Sequence, residues 1–147
     1  MNKTVSVAVG GLLVGALVVL AYFKFVAPPA GSSNPCPGGE RHCIPVYVIT
    51  VGGKPKIADI PDHEVRDQGA AIFWKIGTPG YTFPVNGIAF DKPSNPPSTP
   101  TEFNCNVQGN DTFKCIDKKN NLGTFGYTVK LQGSPAVPPL DPYIINN

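Results

Sequence analysis

Thr124-Phe-Gly-Tyr-Thr-Val-Lys-Leu131 is the stretch from which the fold of this chain is read. Phe125, Tyr127, Val129 and Leu131 alternate with Thr124, Gly126, Thr128 and Lys130. Successive side chains of a strand point to opposite faces, so the first set is expected to face a core and the second to face solvent. Ala70 to Ile76 alternates in the same way, with Ile72, Trp74 and Ile76 on one face and Phe73 and Lys75 on the other.

Working outward from these two segments, the remaining strand signals are short and interrupted. Ile44 to Val51 is β-branched and aromatic and reads as a first strand. Lys56 to Ile60 is a short one ended by Pro61, and Pro84 and Asn86-Gly87 break Tyr81 to Phe90 into two. Phe103 to Val107 and Thr112 to Ile116 flank Gln108-Gly-Asn-Asp111, which signals a hairpin. Asp91 to Thr101 reads as a loop, and Pro138 to Ile145 as an appended edge strand. Seventeen prolines and sixteen glycines leave little room for helices beyond residue 30. The expectation is an all-β sandwich of about seven or eight short strands, of immunoglobulin-like type.

Ahead of this domain, Val5 to Phe23 is apolar throughout except for Ser6, with Lys3 before it and Lys24 after it. About nineteen residues of helix span roughly 28 Å, close to the hydrocarbon thickness of a bilayer. A leader peptidase would need small residues at −3 and −1. A cut after Ala27 puts Phe25 at −3, and one after Ala30 puts Pro28 there, so the segment is expected to stay as an uncleaved anchor. No lipoprotein-type box of small residues precedes Cys36. Three regions follow: an N-terminal transmembrane anchor at 1–27, a Pro/Gly/Ser linker with a cysteine loop at 28–43, and a β-sandwich with a proline-rich tail at 44–147. Gly11 and Gly15 form a GxxxG pair in the span, a spacing that lets a second helix approach closely, and they are assigned as a helix-packing face.

Compartment and partners follow from thiols and charge. Four cysteines in a small domain point to an oxidising compartment, which places the amino terminus in the cytoplasm and the domain in the periplasm of a bacterial inner membrane. Apart from Lys3 and Lys24, basic and acidic side chains balance at ten each, so the domain lacks the footprint of a nucleic-acid binder. Four cysteines allow about three pairings. Proximity favours Cys36 with Cys43, closing a tight loop, and Cys105 with Cys115, across the hairpin. Read instead as zinc ligands, Cys36, His42 and Cys43 have unusual spacing and no fourth partner.

Ile72-Phe-Trp-Lys-Ile-Gly-Thr-Pro-Gly-Tyr-Thr-Phe83, Phe113-Lys-Cys-Ile-Asp-Lys-Lys119 and Gly123-Thr-Phe-Gly-Tyr-Thr-Val-Lys-Leu131 together resemble the cupredoxin pattern over residues 44–131. In that family an apolar strand leads to the first copper histidine, and a later strand ends in the copper cysteine before a ligand loop. The resemblance implies a sandwich, but its copper chemistry does not carry over. Cys115 stands where the thiolate would be, yet residues 116–123 hold neither His nor Met, and Tyr81 takes the place of the first histidine. A blue-copper centre needs two imidazoles and a thiolate. No cofactor and no metal site is therefore expected, and His42 and His63 fall in loops upstream.

No nucleophile elbow, P-loop, HExxH or dinucleotide fingerprint is present in the sequence. The run Asp59, Asp62, His63, Glu64 and Asp67 reads as a solvated loop and edge strand, and Phe73, Trp74, Tyr81 and Phe83 read as core more than as a ligand cleft. No small-molecule substrate is evident. The expected function is a non-catalytic, membrane-anchored accessory subunit of a larger integral membrane complex, of respiratory or photosynthetic type by analogy. Pro79, Tyr81, Phe83, Pro96, Pro97, Pro139 and Tyr143 mark the stiff loops assigned to partner contact. The second reading is a free-standing anchored redox or metal-handling protein, against which the missing ligand set argues.

Overall fold

The computed structural model describes residues 33–96 and 101–147. The anchor, Gly11, Gly15 and Pro97 lie outside the described residues. What is described is all-β and sandwich-like, divided into thirteen short strands where seven or eight were expected.

The first layer holds β1 (Cys43–Val46), β5 (Ala70–Ile76), β8 (Phe103–Gln108) and β9 (Thr112–Asp117) in the order β1-β5-β9-β8. Its hairpin closes as the sequence signals, with Gln108 opposite Thr112 and Cys105 opposite Cys115. β1 runs parallel to β5, with Ile44 opposite Trp74. The second layer is built along residues 123–133, where β10 (Gly123–Gly126), β11 (Thr128–Val129) and β12 (Gln132–Gly133) follow one another. On one side they pair with β6 (Tyr81–Thr82), β7 (Ile88–Ala89) and Asn95. On the other side are Leu140 and β13 (Tyr143–Asn146), and β4 (His63–Val65) pairs in parallel with β13.

Between the layers lies the core that the alternation announced. Ile72, Trp74, Phe125, Tyr127 and Val129 are completely buried. The Trp74 indole N–H donates to the Tyr127 hydroxyl at 3.1 Å, and the two rings meet edge to face at 5.3 Å, which ties β5 to the opposite layer. Burial pushes the Tyr127 hydroxyl pKa far above its ordinary value, so this group stays neutral. Phe90 stacks on Phe103 at 3.7 Å, and Phe83 meets Phe113 at 5.7 Å.

Four expectations are corrected. Gly126 and Thr128 do not face solvent: the 91–94 segment covers them, and Thr128 lies between the carboxylates of Asp91 (2.6 Å) and Asp141 (3.0 Å). The tail strand β13 is not an appended edge; it sits between β10 and β4, because Ile144 and Asn146 bury their side chains while the backbone bonds on both sides. Ile44 to Val51 is not one strand but two. The chain turns at Tyr47, whose carbonyl accepts from Ala58 N–H at 2.8 Å, and β2 (Val48–Val51) leaves the first layer to pair with β3 (Lys54–Ile57). His63 is not in a loop but opens β4.

Glycine is required at one ladder position in particular. Gly123 has φ +140°, and a Cβ there would strike the carbonyl of Asn95, the partner of Thr124 in the neighbouring ladder. The connection before it is organised by Glu102, which is fully buried. Its carboxylate accepts from the backbone N–H of Asn120 (2.8 Å) and Asn121 (3.3 Å) and from the Asn121 side-chain amide (2.9 Å). Beside it Asp117 accepts from Lys119 N–H at 2.8 Å, while its second oxygen is buried without a partner. Burial, and to a smaller degree the Glu102 charge, hold the Asp117 carboxyl pKa above the ordinary value.

Candidate functional site

The stretch from Cys43 to Val65 supplies an edge strand to each layer: β1 to the first and β4 to the second. These two edges come together on the open side of the sandwich, where a groove is found. A groove of about 700 Å³ runs along β1 and the β2–β3 hairpin, walled by Pro45, Tyr47, Ile49, Val51, Ile60 and Pro61. Lys56, Asp59 and His63 contribute polar atoms to its rim. Val51 is 54% exposed, so the groove carries an uncovered apolar side chain at its end. Pro45 removes a backbone donor from the free side of β1, the usual way of blunting an edge against strand addition. Tyr47 is held by a close approach to Gly77, where any Cβ would collide with the tyrosine ring.

A smaller cavity of about 210 Å³ adjoins it, lined by Arg41, His42, His63, Glu64, Arg66 and Asp67. Here the chain's two histidines meet. His42 immediately precedes β1 and His63 opens β4, so the sequence keeps them 21 residues apart while the sheet edges bring His42 Nδ1 to 3.0 Å from His63 Nε2. Their rings are perpendicular, at 84°. His42 Nε2 is buried without a hydrogen-bond partner, and the nearest carboxylate oxygen, from Asp67, is 3.6 Å away. Arg41 pairs with Asp67 at 2.5 Å and Arg66 with Glu64 at 2.9 Å. The Arg41 guanidinium holds the Asp67 carboxyl below its ordinary pKa. Burial, and then the positive charge available to His42, lower the pKa of His63.

The histidine pair is not a preformed metal centre. Two imidazole nitrogens facing each other at 3.0 Å leave no room for an ion between them, since each metal–nitrogen bond needs about 2.0–2.1 Å. Among the described residues no group of three or more His, Cys, Asp or Glu side chains is placed to hold a metal ion. Cys36 is bonded to Cys43 and Cys105 to Cys115. The Cys105–Cys115 bond takes the Cys115 sulfur away from the ligand role that the cupredoxin resemblance would assign it, and the Cys36–Cys43 bond occupies both cysteines of the Cys36, His42, Cys43 reading.

Those of the residues assigned to partner contact that are described do not form one surface. Tyr81 and Phe83 are buried, with the Tyr81 hydroxyl donating to the Pro135 carbonyl at 2.9 Å, so both serve the core and are removed from any docking face. Pro79, Pro139 and Tyr143 are exposed, and Pro96 is half-buried against Gly123. Tyr81 pairs with Gly133 and Asn95 with Thr124, so Pro79 and Pro96 lie at opposite ends of the 123–133 segment. Sequence reasoning missed the groove and the histidine pair, although the β-branched run Ile44 to Val51 and the histidines' places before strand signals were both visible. Comparison of the sequence with models of protein families and with curated proteins finds no match.

Proposed function

We propose that this chain is a non-catalytic accessory subunit: a disulfide-stapled, cupredoxin-like sandwich, carried outside the cytoplasm of a bacterium on an inner-membrane anchor and docked to a larger integral membrane complex. The observation that carries the reading is the β1 groove. It is apolar, lined along β1 and the β2–β3 hairpin, and blunted by Pro45 against unselective strand pairing. Such a surface suits an apolar, structured partner element that meets it with little loss of side-chain freedom. The two disulfides support an oxidising compartment, and the apolar run from Val5 to Phe23 supports the anchor.

Ile49→Asp tests the reading, because it places a charge on the groove wall at a half-buried position of a two-strand hairpin and leaves the sandwich core untouched. Full-length wild-type and variant chains are solubilised in mild detergent and their occupancy in the complex is compared. The reading expects release of the variant with its disulfides and hydrogen-exchange protection intact. Retention at wild-type occupancy would remove the groove as the docking surface.

A further inference from the structure

We infer that His42 and His63 form a proton-sharing clasp that fastens the β1 edge to the β4 edge at neutral pH and releases it in acid. The geometry carries this. The ring centroids are 5.3 Å apart and the facing nitrogens 3.0 Å apart, and the difference is about the sum of the two ring radii, so the nitrogens point at one another in line. An in-line N···N contact of this length is a hydrogen bond and holds one proton.

The surroundings choose the tautomer. If His42 donated from Nδ1, its buried Nε2 would be a bare lone pair facing the Asp67 carboxylate, two acceptors together. If His63 donates from Nε2, His42 Nε2 carries a proton directed at Asp67, and the chain of polarity runs from His63 through His42 to that carboxylate. In the second arrangement one proton added at His63 Nδ1 still leaves a single hydrogen between the facing nitrogens, and that hydrogen is free to shift across to the ring beside Asp67. A second added proton has only a facing nitrogen left to occupy, and two N–H groups would then face each other at 3.0 Å. The pair therefore accommodates one positive charge and rejects two.

The charged groups around the pair do not relieve that conflict. On the side of β1, Arg41 is paired with Asp67. On the side of β4, Glu64 is paired with Arg66, and across the groove Lys56 is paired with Asp59 at 3.2 Å. Of these groups only the imidazoles change charge between about pH 5 and 8 from ordinary values. Unfolding or opening frees both rings to take protons at the ordinary histidine pKa, so the clasp contributes its stability above that value and loses it as pH falls through and below it. Because His63 also lines the groove, the edge that is released is the groove's own wall.

Hydrogen exchange on the full chain in detergent, at pH 7 and pH 5 with intrinsic rates corrected, reads the clasp directly. The strand amides of β4 and β1 should lose protection, by up to about tenfold per unit of pKa difference, while those of β8 and β9 should not. In His63→Gln the extra acid loss should vanish. Equal acid loss in wild type and variant would overturn the proposal. Ring-nitrogen NMR of the wild type keeps the test open should the variant not fold: coupled titration of the two rings is expected, and independent titration of both near the ordinary value would overturn it as well.

Discussion

Tyr127 shows how one polar atom can matter inside an apolar core. Its hydroxyl accepts from the Trp74 indole, and both residues are completely buried. Tyr127→Phe keeps the ring but leaves the indole N–H without a partner, which should cost about 1–3 kcal/mol in denaturant unfolding. A loss under a few tenths of a kcal/mol would mean that the indole finds another acceptor. Asp117 is the opposite case, a carboxyl whose charge burdens the fold. Its pKa is raised in the folded state, so its proton is held more tightly there than in the unfolded chain. Stability from that proton is full below the ordinary aspartate value and is lost as pH rises through the raised one. Asp117→Asn should therefore match wild type in acid and exceed it at pH 7, by about 1 kcal/mol for one relieved buried acceptor. A variant less stable at pH 7 than at pH 4, relative to wild type, would contradict this assignment.

At the scale of elements, the Cys105–Cys115 bridge spans a hairpin whose strands are already paired throughout, whereas Cys36–Cys43 closes the loop that leads into β1. Cys105→Ser with Cys115→Ser should lower stability by about 2–4 kcal/mol, read from denaturant unfolding with midpoint and slope both fitted. The elements that were legible in the sequence share one property. Ala70 to Ile76 and Phe125 to Val129 have one face against the core, so their period of two is written in residue types, and the 108–111 turn writes itself in glycine and asparagine. The coverage of Gly126 and Thr128 was not legible, because a loop that is remote in sequence buries an outer face whose residues are small. β4 was not legible either: it spans three residues, too few for a period, and exists because β13, about eighty residues later, offers a parallel edge. The histidine pair depends on that pairing, so neither partner announces the other locally. The groove depends in turn on the break at Tyr47, where a continuous β-type run divides between two ladders.

For the whole molecule, the layers are joined at the centre by Trp74 and Tyr127 and at the open side by His42 and His63, and the groove lies just outside the second of these ties. This arrangement gives a rigid body with one adjustable margin. The anchor makes a separate prediction: Gly11→Leu with Gly15→Leu should insert and fold normally yet weaken association, since bulky side chains on a close-packed face force helices apart. Unchanged association would leave the whole interface to the sandwich. The most direct measurement of the central claim is the native mass of the wild-type chain released from its own membrane in mild detergent. The account predicts a stoichiometric assembly far larger than the 15.6 kDa chain, with both disulfides intact. A monomer free of other subunits under those conditions would contradict it.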